Sequence, residues 1–350
     1  MRFLVLGTGA IGGTVGAYMA RAGEDVAFAD KDREHVEAMR SRGLTVQGFG
    51  ETFTLPVRAL HVEEVASLEA PPDFILLAVK AQHTREALAA AMPAIGPHTA
   101  VVSLQNGLNE RTIAELVGAR RTIGCFVNFS ADYLGPGLVH YGSAGALYLG
   151  ELDGRATERL EALAAAMEHF GPVQRTGNIW GYLWGKLGYA NMLFATALAD
   201  EKMGDVTLRY GPLLVELACE VYDVAAREGV HPEAFDTITP ELYWPRERQD
   251  WSRLGPALDR MATWQLASQK TKSGIWRDLK VRHRPTEVDE QPGRVLEIGR
   301  RHGLALPLTA RLVEMIKEIE RGERAMSWGN IEELEALRTA GARSSEHAPR

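Results

Sequence analysis

The sequence predicts an α/β fold, with an N-terminal Rossmann dinucleotide-binding domain followed by an all-helical C-terminal domain. Three observations predict it. A G-x-G-x-x-G run follows a short apolar strand within the first dozen residues. Short apolar runs then alternate with helical patterns through the first half, the signature of βαβ units and a parallel sheet. After Asn178 helical periodicity takes over.

Phe3-Leu4-Val5-Leu6 reads as a buried strand, and Ile11 to Ala22 as the helix behind it. Asp25 to Ala29 is the second strand and Arg33 to Arg42 the second helix. Phe74 to Val79 is the most apolar strand of the chain. Thr84 to Met92 is a helix, Ala100 to Leu104 a strand, and Glu110 to Val117 a helix. From Arg121 to Glu151, runs broken by Gly135-Pro136-Gly137, Gly142, Gly145 and Gly150 are expected to be antiparallel strands finishing the sheet. Arg155 to Phe170 is a helix. Beyond it the helical candidates are Trp180 to Asp200, Tyr210 to Gly229, Leu258 to Ser268, Pro292 to His302 and Thr309 to Arg321. The expected organisation is a Rossmann domain over 1–177, a helical domain over 178–338 and a flexible polar tail over 339–350. The apolar stripe Leu213, Leu214, Leu217, Val221 and Val224 reads equally as core or as the interface of an expected homodimer.

Composition narrows the function. The 350 residues carry 39 Lys+Arg against 46 Asp+Glu, a net charge of −7, which argues against nucleic acid as a partner. Only Cys125 and Cys219 are present, too few for a disulfide framework. No run approaches a membrane span, and the start lacks the pattern of a signal peptide, so a cytoplasmic protein without a membrane partner is expected. The histidines show no H-E-x-x-H pairing, so no metal is expected. No G-x-S-x-G nucleophile elbow and no G-x-x-x-x-G-K-[ST] loop occurs.

The loop Gly7-Thr8-Gly9-Ala10-Ile11-Gly12 carries the nucleotide chemistry. Its first glycine permits the tight turn, the second lets a pyrophosphate approach, and the third lets helix pack on strand. The helix start offers unpaired N–H groups and a partial positive charge. Asp30 lies 18 residues past Gly12, near the spacing of the acid that binds a ribose diol, and favours NAD(H). Lys31 beside it favours a 2′-phosphate. Lys80 and Asn106 end later strands, where a parallel sheet binds ligands, although both also suit ordinary loops. Lys186 stands in an otherwise apolar helical stretch, a place for a snorkelling rim residue or for a lysine of lowered pKa. Lys270, Lys272, Arg277, Lys280, Arg282 and Arg284 crowd one segment with only Asp278 opposing, which suits a small anionic substrate or a solvated basic face.

With Val79-Lys80-Ala81, Gln105-Asn106-Gly107-Leu108, Trp184-Gly185-Lys186-Leu187 and Thr286-Glu287-Val288-Asp289 following the glycine loop in order, the sequence resembles the ketopantoate reductase family. The wider group is that of 6-phosphogluconate-dehydrogenase-like enzymes. The resemblance implies reduction of a 2-keto acid with NADPH in a cleft between the two domains, within pantothenate biosynthesis. It implies Lys186 as the catalytic lysine and Glu287 as a glutamate contacting cofactor and substrate. Asn106 matches the family's cofactor-contacting asparagine, and Ser273 and Asp278 fall in its substrate-binding segment. Two positions depart from the pattern. Ala190 stands where the family has an asparagine, with Asn191 one residue on and expected to bind substrate, and Gly274 stands where it has a serine, with Ser273 just before.

The expected activity is therefore NAD(P)H-dependent reduction of a small 2-keto acid, with Lys186 protonating the nascent alkoxide. One rival is an NAD-dependent dehydrogenase acting on a different secondary alcohol, to which Asp30, Ala190 and Gly274 point. Another is a non-catalytic dinucleotide sensor, which would need neither Lys186 nor Glu287.

Overall fold

Alternate residues of a strand face opposite sides of a sheet, and the apolar runs of the first half use both sides. Phe3 and Val5 join Phe28, Leu76 and Val102 in one core, while Leu4 and Leu6 join Ala29, Ile75, Leu77 and Val101 in another. The computed structural model describes residues 1–268 and 270–346 of the chain. They form two compact units, Met1–Ile179 and a second beginning at Trp180.

The first unit holds β1 (Arg2–Leu6), β2 (Asp25–Asp30), β3 (Leu44–Gly48), β4 (Glu51–Leu55), β5 (Arg58–His61), β6 (Phe74–Leu77), β7 (Ala100–Ser103), β8 (Thr122–Val127), β9 (Ser130–Gly135), β10 (Leu138–Ser143), β11 (Leu147–Glu151) and β12 (Gln174–Arg175). Its helices are α1 (Ala10–Arg21), α2 (Arg33–Arg42), α3 (Thr84–Ala91), α4 (Asn109–Val117) and α5 (Glu158–Met167). The main sheet runs β12-β11-β8-β7-β6-β1-β2-β5. The six strands from β8 to β5 are parallel, and β11 pairs antiparallel with β8. Strand order reverses between β1 and β6, the switch point where such sheets bind ligands at their carboxyl ends.

The stretch expected to finish the main sheet does so only in part. β8 and β11 join it, but β9 and β10 leave to form a second sheet, β4-β3-β10-β9. The β3–β4 hairpin was not legible, because β4 is a short, largely exposed strand without a continuous apolar run. The small sheet lies against α1: a Cβ on Gly13 would sit 3.1 Å from Val139, and the Tyr18 ring meets Phe53 and Tyr141 edge-on. Helix α1 is thus covered on two sides, which explains its small, apolar composition.

The second unit is helical: α6 (Ile179–Thr196), α7 (Met203–Arg227), α8 (Pro240–Tyr243), α9 (Trp251–Ala267), α10 (Gly274–Lys280), α11 (Pro292–Arg301), α12 (Pro307–Glu320) and α13 (Trp328–Glu346). Two helices start earlier than their periodicity suggests, and in each a proline interrupts the pattern. α7 bends at Tyr210 (φ −128°, ψ 30°), just before Pro212, and α9 carries Pro256 in its second turn. The stretch from Thr339, expected to be a flexible tail, continues α13 to Glu346, and Thr339 Oγ1 donates to the Glu335 carbonyl one turn back. Residues 347–350 of that expected tail lie outside the described residues. Leu213, Leu214, Leu217, Val221 and Val224 are all fully buried within the chain, so this stripe is core and not an interface. Among the described residues no helix is long and apolar enough to cross a membrane.

A buried polar network joins three of these helices. Glu220 of α7 accepts from Leu308 N (3.0 Å) and Thr309 N (2.7 Å), so a side chain of one helix caps the start of α12. Glu220→Ala leaves those two N–H groups without an acceptor. Urea denaturation should show a loss of roughly 2–4 kcal/mol, and Glu220→Gln, which keeps an acceptor, should lose less.

Candidate functional site

In the first unit, the glycine loop sits at the switch point. Gly7 (φ +94°) makes the turn out of β1, and a Cβ there would lie 2.7 Å from Val79 N, in the loop after β6. A Cβ on Gly12 would lie 2.2 Å from the Gly7 carbonyl oxygen, so the third glycine is needed for packing. At Gly9 a Cβ would meet nothing within 4 Å. Gly9 is also the N-cap of α1, where no side chain caps the helix and no acidic residue lies in the first turn. Gly9, Ala10 and Ile11 are each partly exposed. The loop thus presents uncapped helix N–H groups to an open side, which fits a pyrophosphate.

Asp30 ends β2 and faces this loop. Its Oδ2 accepts from Thr8 N (2.7 Å) and its Oδ1 from Asp32 N (3.0 Å). The carboxylate therefore holds the glycine loop as well as standing at the strand tip, a second task that spacing alone did not reveal. Lys31 is exposed, and its carbonyl bonds His61 Nε2 (3.1 Å).

Lys80 and Asn106 follow β6 and β7, and buried polar side chains tie their loops together. Gln105 Nε2 donates to the Val79 carbonyl (2.8 Å) and to Thr84 Oγ1 (2.9 Å), and Asn109 Nδ2 donates to the Asn106 carbonyl (2.6 Å). Lys80 is half-buried and the Asn106 side chain is exposed. The fully buried Glu110 occupies the first turn of α4, which follows the Asn106 loop. Burial pushes its carboxyl up to about 7; Ser103 and its own backbone pull the other way too weakly to offset this. Among the described residues neither carboxyl oxygen completes a hydrogen bond.

In the second unit, Lys186 lies half-buried on α6, between two glycines that let other elements press against the helix. A Cβ on Gly185 would lie 2.5 Å from the Glu233 carbonyl oxygen, and one on Gly188 would lie 2.4 Å from the Tyr222 ring. Tyr222 Oη donates to the Gly185 carbonyl (3.2 Å), and Glu233 N donates to the Gly181 carbonyl (2.9 Å). The helix that carries Lys186 is therefore locked by packing, the support a functional group needs. Gly188 and Tyr222 went unnoticed in the sequence; the pairing of Gly188 with the motif's Gly185 around a lysine was the available signal.

Glu287 is half-buried in the loop before α11. Its segment is fixed by Glu320, which accepts from Thr286 N and Oγ1 (2.7 Å each), and by the Lys317–Asp289 ion pair. Ser273 caps α10, accepting from Trp276 N (3.1 Å), and is buried. A hydroxyl that accepts in a cap still has its own proton to donate. Asp278 accepts from Arg282 (3.1 Å) and Arg284 (2.9 Å). That placement makes it a holder of two arginines. Asp278 is also not alone in opposing the basic segment. Asp200, 72 residues before Lys272, accepts from Lys272 and from Trp276 Nε1 and pairs with Lys280. Lys272 and Trp276 hold the Asp200 carboxyl well down, at about 2. Asn191 is turned into the helical core, where it is fully buried and donates to Thr309 Oγ1 (2.9 Å) and the Leu217 carbonyl (3.3 Å). Its amide nitrogen is committed to the network around Glu220, while its Oδ1 has no hydrogen-bond partner among the described residues. Gly274 is exposed with open space at its Cβ position, so packing does not forbid the serine that the family pattern has there.

The chain matches two family models in sequence: "Ketopantoate reductase PanE/ApbA" over residues 3–154 and "Ketopantoate reductase PanE/ApbA C terminal" over residues 178–320. The chain belongs to the ketopantoate reductase family. It is therefore an oxidoreductase acting on CH–OH groups with a nicotinamide dinucleotide. Among its relatives, the 2-dehydropantoate 2-reductase of Pyrococcus horikoshii is 29% identical, over 91% of this chain and 98% of that protein. That of Mesorhizobium japonicum is 27% identical, over 92% and 99%. A solved 2-dehydropantoate 2-reductase from Geobacter metallireducens has a TM-score of 0.76 at 27% identity, covering 91% of this chain and 99% of that one. D-mandelate dehydrogenase, solved with NADH and anilino(oxo)acetate, shares the fold at a TM-score of 0.77 and 21% identity, over 93% of this chain and 100% of that one.

Proposed function

We propose that this protein reduces a small 2-keto acid resembling 2-dehydropantoate to the corresponding 2-hydroxy acid. The observation that carries this reading is the match of both units, in order, to the two halves of one reductase family. A bound reduced nicotinamide supplies the hydride. In this reading Gly7 to Gly12 hold the pyrophosphate, Asp30 and Lys31 face the adenosine ribose, and Lys80 and Asn106 serve the nicotinamide end. The Lys186 ammonium gives its proton to the carbonyl oxygen as the alkoxide forms, and solvent reprotonates the amine. Glu287 orients that lysine or binds a ligand hydroxyl. Ser273 donates to the substrate carboxylate, and Asp278 acts through the arginines it holds. The decisive experiment is a panel of 2-keto acids assayed with NADH and NADPH by loss of reduced-nicotinamide absorbance. Turnover of a branched 2-keto acid supports the reading, and tight dinucleotide binding without turnover of any acid or alcohol overturns it.

A second reading, an NAD-dependent dehydrogenase for a different secondary alcohol, is favoured by Asp30, whose carboxylate at the tip of β2 repels a 2′-phosphate. Because Asp30 also anchors Thr8 and Asp32, the informative substitution is Asp30→Asn, which removes the charge and keeps an acceptor. It should shift the kcat/KM ratio towards NADPH on the order of tenfold. A wild type that already prefers NADPH tenfold removes the basis of this reading.

A further inference from the structure

We propose that His35 is a positioning residue for dinucleotide binding, its imidazole clamping the glycine loop to the turn between β9 and β10. The proposal rests on the reading that the dinucleotide binds at that loop. His35 lies in the first turn of α2 and is 1% exposed. Its Nε2 is 2.8 Å from the Thr8 carbonyl oxygen, and its Nδ1 is 2.9 Å from Gly137 N. The Thr8 carbonyl can only accept and the Gly137 N–H can only donate. One form of the ring satisfies both: neutral, with the proton on Nε2 and the lone pair on Nδ1. Tyr133 of β9 packs edge-on against the ring, with centroids 5.1 Å apart.

Thr8 is thereby held at every polar atom. Its N–H goes to Asp30 Oδ2 (2.7 Å), its hydroxyl to the Ala29 carbonyl (3.3 Å) and its carbonyl to His35. The carbonyl matters most. Thr8 C=O and Gly9 N–H belong to one planar trans peptide, so they point in opposite directions. Drawing the carbonyl towards His35 sets the direction of the Gly9 N–H, at the uncapped start of α1. The clamp thus acts on the backbone that would receive the pyrophosphate, through a side chain that does not touch it.

Glutamine and asparagine separate the two bonds of the ring. In His35→Gln the amide nitrogen lies near the place of Nε2 and can still donate to Thr8. In His35→Asn the amide reaches only as far as Nδ1, so the Gly137 bond survives and the Thr8 bond is lost. With the dinucleotide that the wild type turns over, H35Q should keep its dissociation constant within about threefold of wild type, and H35N should raise it about tenfold. Keto-acid KM, and kcat at saturating dinucleotide, should stay within about twofold in both. Equal losses in the two variants mean that the ring merely fills space and overturn the proposal, as does no loss in H35N. Should H35N fail to fold, H35Q alone decides, since a tenfold loss there refutes the clamp. Gly9→Asp serves as the control for the binding site, because it places a carboxylate where the phosphates are proposed to lie. If G9D leaves dinucleotide binding intact, the placement of the dinucleotide is wrong and the clamp falls with it. If G9D abolishes binding and H35N does not weaken it, only the clamp is wrong.

Discussion

Lys186→Ala is expected to lower kcat for a 2-keto acid by about 100- to 10,000-fold, the range over which a positioned acid acts in proton transfer. The dissociation constant of the dinucleotide should change by less than about threefold, because the groups proposed to hold it are the glycine loop, Asp30 and the strand-end loops. Stability should change little. Gly185 and Gly188, at which other elements press against the helix of Lys186, are unchanged by the substitution. Lys186→Arg keeps the positive charge but gives up a proton far less readily, so it should recover substrate KM and not kcat. Rapid-mixing measurement of hydride transfer, together with steady-state kinetics, separates these effects. Near-normal turnover in the alanine variant would remove Lys186 from the mechanism.

The second large effect concerns stability and pH. Glu110 is fully buried, and burial holds its carboxyl at about 7, above the ordinary carboxylate range. The folded protein therefore keeps a proton that the unfolded chain releases near pH 4.3. Below that pH both states are protonated and the group's contribution is fully present. As pH rises towards 7 the unfolded state gains by ionising, and stability falls by roughly 3 kcal/mol before levelling off above 7. Glu110→Gln removes this component. The difference in unfolding free energy between variant and wild type should shift in favour of the variant by about that amount between pH 5 and pH 8. Parallel stability curves for the two proteins would show that Glu110 does not titrate in this window.

How much was legible depends on how far apart the partners of each feature lie. The turn, the open phosphate position and the helix start of the glycine loop all fall within Gly7 to Gly12, so a six-residue pattern carries them. β1, β2, β6 and β7 of the main sheet were legible because each is a short, nearly continuous apolar run that is largely buried, whereas β5 and the two-residue, exposed β12 carry no such run. The β3–β4 hairpin was not, because its pairing partner β10 lies some ninety residues further on and β4 is largely exposed. Lys186 and Glu287 came from resemblance; nothing in the periodicity around Lys186 distinguishes it from a rim lysine. The prolines within α7 and α9 hid the starts of those helices, since a proline usually marks a helix end and not its interior. Asn191 was read as a neighbour of the substrate because it adjoins a motif position. One residue turns a helix by about 100°, and this one faces Thr309 in the core.

The sequence by itself determined the α/β class, the helical second half and the glycine turn, because these are written in local patterns of apolar residues and glycines, and it pointed to the family through the order of its short motifs. Only the tertiary structure decided which polar groups hold the site: Asp30 and His35 on Thr8, Asp200 on the basic segment, Glu220 on α12, and the isolated carboxyl of Glu110. The physical reason is that a hydrogen bond or a desolvated charge depends on distance in space. His35 and Gly137 are 102 residues apart and meet at 2.9 Å, a pairing that no spacing rule along the chain contains.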